Sequence, residues 1–226
     1  MLRRRTPHDG GNGSSAADTL RTFVFGDRAV DEWPPPDTDV GAEPWRSFVL
    51  ARSALARGAY AEAQQLWWAI AERQDIGARQ VLQAWHFLRS VGVAPDAARA
   101  KQVLGAVAEV AVPQGHDLLV VYADGSVRYL NFSGAAVAIE QEIPSVAGPA
   151  REFLAVGQSI VGAIGPWEGP LPPLPAGHSR LTMLTPSGPH FGQGPDDALR
   201  SSPPAAAFFD AATRTLLAVL EVAQPR

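Results

Sequence analysis

Cysteine is absent from the 226 residues of this chain. Its absence excludes disulfide frameworks, thiol nucleophiles, Fe–S clusters and zinc sites with cysteine ligands. The five histidines stand apart in the sequence, without the H-x-H or H-E-x-x-H spacing that is typical of metal sites. We therefore expect neither a metal site nor a cofactor.

Lysine is almost absent, since Lys101 is the only one among 19 basic residues. Together with the heavy use of alanine, glycine and proline, this preference for arginine is typical of GC-rich bacterial coding. The net charge is −4 and the isoelectric point about 5.7. Because nucleic-acid binding normally needs a basic face, this balance argues against a nucleic-acid partner.

Long hydrophobic runs are missing too. The basic start Met1–Arg5 is followed by a polar, glycine-rich stretch and not by the apolar core of a signal peptide. No apolar run elsewhere approaches the roughly 20 residues that span a bilayer. We expect a cytoplasmic protein without a membrane partner.

The common catalytic and nucleotide-binding motifs are also missing. There is no G-x-x-x-x-G-K-[ST] phosphate loop and no G-x-S-x-G nucleophile elbow. Residues 11–16 match G-x-G-x-x-A, but a polar stretch precedes them where a dinucleotide site needs a strand. We leave enzymatic activity open and favour a protein without one.

Hydrophobic side chains do recur at helical spacing in the first half of the chain. The pattern predicts four helices with short connections, which begin near Pro44, Tyr60, Ile76 and Pro95. The fourth helix is expected to end before Pro113. Four such helices make two helical hairpins.

Two stretches of this helical region resemble repeat families. Ala54–Ala63 resembles the turn of a tetratricopeptide hairpin, and Ser90–Ala100 resembles the Gly-Val, Asp, Ala pattern of Sel1-type repeats. A faint match between Ala61–Leu66 and Ala98–Val103 has a period typical of helical solenoids. The resemblance covers about residues 45–111 and implies a protein-interaction surface. An ordinary alanine-rich hairpin is the competing interpretation.

From residue 113 onward, the pattern changes from helical to alternating. It predicts two strand hairpins, at Asp124-Gly125 and at 180–191, and a third strand at 135–140. It also predicts two helices, one that begins at Gly148-Pro149 and one over Pro204–Val222. This element order resembles roadblock and longin-type profilin-like domains, which implies a small GTPase as partner. The segment Met183–Pro195 resembles segments of uncharacterised bacterial proteins.

These elements predict an α+β fold, in which N-terminal helical hairpins pack on a small antiparallel sheet with helices on one face. We divide the chain into a flexible arm (1–43), a helical hairpin region (44–112) and an α+β domain (113–226). Two repeats are too few to bury a core alone, so the helices should pack against the domain that follows.

Two groups of residues are candidates for binding. Trp67 and Trp68 are adjacent and point about 100° apart on a helix, so one of them is a candidate for a protein interface, unless both are buried. The glycine-rich loop 186–197 offers His190 as a base or hydrogen-bond donor, with Gln193 and Asp196 as polar contacts.

The favoured hypothesis is a non-enzymatic protein–protein interaction adaptor of a bacterial cytoplasmic system, whose partner is another protein. The alternative is a small-ligand-binding or hydrolytic module that uses residues 186–197. Pairing of an exposed edge strand, at 135–140 or 180–185, would support a homodimer.

Overall fold

A six-stranded antiparallel sheet forms the centre of the protein, in a computed structural model that describes residues 24–223. Its strands are β1 (Gly105–Val112), β2 (Gly115–Tyr122), β3 (Val127–Leu130), β4 (Ala136–Ile139), β5 (His178–Thr185) and β6 (Gly188–Pro195). Their order across the sheet is β4-β3-β2-β1-β5-β6. The edges are therefore β4 and β6, and β1 lies in the interior.

Seven α-helices accompany the sheet within the described residues. They are α1 (Trp45–Ala56), α2 (Tyr60–Ala71), α3 (Ala78–Ser90), α4 (Ala97–Ala100), α5 (Pro144–Ile160), α6 (Asp196–Ser201) and α7 (Pro203–Ala223). Helices α1 to α3 begin close to their predicted positions. Helix α5 begins four residues before the predicted Gly148, with Pro144 in its first turn and Pro149 inside the helix.

Helices cover both faces of the sheet. On one face, α5 and α7 pack together, and Phe153 and Phe208 meet edge to face at 4.6 Å between ring centroids. On the other face, Leu82 of α3 shares a hydrophobic cluster with Tyr122 of β2. Helices α1 and α2 pack with α3 in a third cluster, which is rich in tryptophan and phenylalanine. The fold class is α+β, as the sequence pattern predicts.

The prediction of a full fourth helix is wrong. Only Ala97–Ala100 is helical, and Gly105–Val112 is strand β1, which pairs with β2 on one side and β5 on the other. Strand β1 is covered on both faces, so apart from Glu109 it is apolar along its whole length and does not alternate. The alanines and valines of β1 therefore gave no strand signal, and the spacing of Val103 and Val107 imitated a helix.

Part of the segment assigned to a flexible arm packs against the rest of the protein. Val24 and Phe25 are buried in the cluster between α3 and the sheet. Trp33 is also buried and meets Phe48 of α1 edge to face at 5.8 Å. Met1–Arg5 and the glycine-rich stretch after it lie outside the described residues.

The two predicted edge strands have different positions. The segment 135–140 contains β4, which is an edge of the sheet. The segment 180–185 lies in β5, which pairs with both β1 and β6, so the prediction of an edge is wrong there. The hairpin at Asp124-Gly125 is present, and Gly125 has a φ of 82°, which side chains other than glycine rarely adopt.

Candidate functional site

The three residues predicted to line a ligand loop do not converge. Residues 188–195 form strand β6 and not the glycine-rich loop that the sequence suggested. Because side chains alternate along a strand, His190 and Gln193 lie on opposite faces of the sheet. Asp196 follows at the first position of α6. The structure therefore places these residues in three separate surroundings.

His190 is fully buried, with 0% of its surface exposed. Its Nδ1 lies 2.7 Å from the carbonyl oxygen of Ile164, and its Nε2 lies 2.9 Å from Oγ of Ser187. Burial lowers the pKa of His190, and the hydrogen bond to Ile164 opposes this shift. With both ring nitrogens engaged, His190 joins β6 to the segment after α5 and does not face a cavity as a base.

Gln193 belongs to a buried polar network on the other face. Its Oε1 accepts hydrogen bonds from Nε and Nη2 of Arg180, at 2.9 and 2.6 Å. Nη1 of Arg180 pairs with Oε2 of Glu109 at 3.3 Å, and both side chains are almost fully buried. Carbonyl groups of the proline-rich segment 165–177 accept further hydrogen bonds from Arg180 and Gln193. The network thus fixes this segment to the sheet.

Asp196 lines a hollow of about 410 Å³ between α6, α7 and the ends of β1 and β5. Its Oδ1 accepts a hydrogen bond from Oγ of Ser179 at 2.6 Å. Arg200 and Asp210 also line this hollow, but His190 and Gln193 do not.

A second concave site lies where the helical layer meets one end of the sheet, and we call it the junction groove. Its volume is about 340 Å³. The lining comes from the α2–α3 connection, from α3 and the segment around α4, and from the turns after β2 and β5. Apolar and charged side chains both line it. The apolar ones include Ile76, Val81, Trp85 and Leu104, and the charged ones are Glu72, Arg73, Arg99 and Asp124.

The two adjacent tryptophans have different positions relative to this groove. Trp67 is 1% exposed and packs against Phe87 in the helical core. Trp68 is 40% exposed, and its ring meets Trp85 edge to face at 5.4 Å between centroids. Trp85 lines the groove, as does Glu72, which lies one helical turn after Trp68. Trp68 therefore flanks the groove, whereas Trp67 is inaccessible to a partner.

The charges of the groove are of both signs. Glu72 pairs with Arg99, and Arg73 pairs with Asp75 at 2.6 Å. The hydrogen bond from Arg73 holds the pKa of Asp75 below its usual value. Exposed pairs of this kind contribute little to stability, so they can rearrange at low cost when charged groups of a partner approach.

Sequence reasoning singled out Trp67 and Trp68 without deciding which of them is exposed, and it missed the groove beside Trp68. The lining residues are scattered from Ala71 to Pro186 and lie mostly in connections, where hydrophobic periodicity gives no signal. Only the adjacent tryptophans, which cannot easily share one buried face of a helix, pointed to this surface.

Residues 24–223 contain no group of three or more His, Asp or Glu side chains arranged to hold a metal ion. Over the same range, no helix is both long and apolar enough to cross a membrane. Comparison of the chain with protein-family models, curated proteins and solved structures found no match.

Proposed function

We propose that the protein is a non-enzymatic interaction adaptor of a bacterial cytoplasm and that a segment of its partner protein binds at Trp68 and the junction groove. The observation that carries this proposal is the partly exposed ring of Trp68, which packs edge to face against Trp85, a residue that lines the groove. The contact with Trp85 restricts the Trp68 ring before a partner arrives, which lowers the side-chain entropy that binding costs.

The chemistry of this surface is that of an interaction hot spot. Tryptophan and arginine are the residues most enriched where truncation to alanine weakens protein complexes. Here Trp68 flanks a groove that is lined by Arg73 and Arg99. The volume of about 340 Å³ lies within the range of about 300–1,000 Å³ that is typical of binding pockets. A partner segment with one large apolar side chain and flanking charges fits this lining.

Affinity capture from a lysate of the protein's own cells tests the proposal with three forms of the tagged chain. The forms are wild type, Trp68→Ala and the control Tyr60→Ala, which removes an exposed aromatic ring about two turns away on the same helix. We expect wild type and Tyr60→Ala to retain a stoichiometric partner. Trp68→Ala should weaken its binding about tenfold or more, as loss of a hot spot does.

Photo-crosslinking then locates the partner on the surface. A photoreactive residue in place of Gln74, which lines the junction groove, should crosslink to the captured protein. The same residue in place of Leu217, which is 63% exposed on α7, should not. Equal capture by Trp68→Ala, crosslinks from position 217 alone, or no retained partner at all would overturn the proposal.

A small ligand in the hollow beside Asp196 is the second candidate. Its volume of about 410 Å³ lies in the same range of about 300–1,000 Å³. A thermal-shift panel of metal ions, nucleotides and metabolites tests it on wild type and Asp196→Asn. A specific stabilisation that Asp196→Asn abolishes supports this function, and a flat panel counts against it.

A further inference from the structure

The two edges of the sheet differ in how their backbone groups are protected. In an antiparallel pair, successive residues direct their N–H and C=O groups alternately towards the neighbouring strand and away from it. The hydrogen bond from the Asn131 N–H to the Ala135 carbonyl sets this alternation in β4. Ala136 and Ala138 therefore direct their backbone groups outward.

The other edge, β6, is blocked. The two-residue turn between Thr185 and Gly188 sets the same alternation there, so that Pro189 and Pro195 are among the outward residues. Proline has no N–H to offer to another strand. In addition, the carbonyl of Pro189 already accepts a hydrogen bond from the Trp167 N–H at 2.8 Å. Prolines at such positions protect edge strands from pairing.

Strand β4 carries none of these protections. Residues 134–139 contain neither a proline nor a charged side chain. No other strand within residues 24–223 pairs with the outer edge of β4. Ala136 is exposed, and Val137 and Ala138 are half-buried. An uncharged, unpaired edge is the kind of strand to which a second strand adds.

We propose that β4 pairs in antiparallel fashion with β4 of a second copy of this chain, about a two-fold axis at Val137. This register bonds Ala136 of each copy to Ala138 of the other, and each Val137 faces its own equivalent in a non-hydrogen-bonded pair. A symmetric interface places every residue against the same surface, so like charges on the edge would repel. Residues 135–139, which face one another in this register, are all uncharged and meet this requirement.

Light scattering on the full chain, over concentrations up to about 1 mM, tests whether the pairing occurs. We expect a concentration-dependent dimer. Ala138→Pro should give a monomer, because it removes an outward N–H and leaves the bonds to β3 intact. Ala136→Lys, at an exposed position, should do the same by placing a charge on the edge. Leu217→Lys on α7 is the control and should leave the dimer unchanged.

Crosslinking through one introduced thiol tests the register. The chain has no cysteine, so Val137→Cys places a single thiol at the proposed axis. Opposed residues in non-hydrogen-bonded pairs have Cβ atoms about 4.5–5.5 Å apart, close to the separation that a disulfide needs. We expect Val137→Cys to oxidise to a covalent dimer and Leu217→Cys to remain monomeric at the same concentration.

The light-scattering and crosslinking results can overturn this proposal, and they do not depend on whether a partner protein binds at Trp68. Wild type that stays monomeric throughout, or a dimer that persists in both Ala138→Pro and Ala136→Lys, would overturn the proposed pairing. A dimer in which Val137→Cys does not crosslink would overturn the register. Trp68→Ala lies on another surface and should not alter the dimer, so failure at one site does not imply failure at the other.

Discussion

At the scale of single residues, burial of the ion pair between Arg180 and Glu109 costs desolvation free energy. Removing two charges from water costs several kcal/mol per ion, and their attraction offsets this only when the remaining donors are satisfied. Here Gln193 and the carbonyl of Pro172 take further hydrogen bonds from the guanidinium group. The polar network thereby fixes the proline-rich segment to one place on the sheet.

Removal of the carboxylate alone should therefore be more damaging than replacement of both charged side chains by apolar ones. Glu109→Ala leaves the Arg180 charge buried without its carboxylate, and we expect a loss of about 3–5 kcal/mol in the free energy of unfolding. The double change Glu109→Leu with Arg180→Met leaves no buried charge and should recover part of that loss, although it also removes the hydrogen bonds to Gln193 and Pro172. Urea denaturation measures all three forms.

An exposed ion pair serves as the matched control for this experiment. Arg214 and Glu152 also form a short pair, at 2.7 Å, but both side chains are about half exposed. Glu152→Ala should therefore change the free energy of unfolding by less than about 1 kcal/mol. Similar losses for Glu109→Ala and Glu152→Ala would contradict the importance of burial.

His86 should make stability depend on pH. Burial, with a smaller contribution from Arg89, lowers its pKa to about 4, whereas a histidine in the unfolded chain titrates near 6.5. As the pH falls below the unfolded value, the unfolded state takes up the proton first, so the free energy of unfolding falls until the pH reaches about 4.

The variant His86→Gln isolates this contribution from that of the carboxylates. Between about pH 7 and about pH 4.5, wild type should lose more unfolding free energy than His86→Gln does. Urea midpoints across this interval measure the difference. Identical pH dependence in the two proteins would show that His86 titrates normally in the folded state.

At the scale of elements, the sequence predicted those that carry a clear helical periodicity or a turn signal. Helices α1 to α3 and the hairpin at Asp124-Gly125 have periodic or turn signals, and the structure contains them. Strand β1 escaped prediction because its alanines and valines do not alternate and also fit a helix, and no Asp-Gly turn marks it as Asp124-Gly125 marks β2. The junction groove escaped because pairing of distant strands brings its lining connections together, and no local pattern encodes such contacts.

Asp124 shows how one turn residue supports a distant helix. Its Oδ2 accepts a hydrogen bond from the N–H of Ala78 at 2.7 Å, and its Oδ1 accepts bonds from Ser126. The residue that precedes α3 is Gly77, which has no side chain with which to cap the helix. The hairpin between β2 and β3 therefore supplies the cap for α3.

Asp124→Ala should destabilise the protein by about 1–2 kcal/mol, because the first turn of α3 loses its acceptor. Asp124→Asn keeps an acceptor oxygen and should lose clearly less. Thermal or urea unfolding gives both values. Asp96→Ala is the control, since Asp96 caps the four-residue α4 at the surface. If Asp96→Ala lowered the free energy of unfolding as much as Asp124→Ala does, the cap on α3 would contribute no more to stability than a surface cap.

At the scale of the whole molecule, the helical layer and the sheet share a core. Ala78 and Leu82 of α3 pack in one cluster with Val107, Val120 and Tyr122 of the sheet. The boundary drawn from sequence at residue 113 would separate β1 from the sheet in which it is an interior strand. The shared cluster and the position of β1 indicate that the two halves fold together.

The shared core predicts a single cooperative transition. Tryptophan fluorescence follows the helical half, which contains five of the six tryptophans, and pulsed hydrogen exchange of β2 follows the sheet. Leu82→Ala removes a buried side chain between the layers and should cost about 2–5 kcal/mol, whereas exposed Leu50→Ala should stay within about 0.5 kcal/mol. Both probes should give the same midpoint in every form. If Leu82→Ala moved only the fluorescence midpoint, the helical layer would unfold independently of the sheet, and the junction groove between them would open before the sheet unfolds.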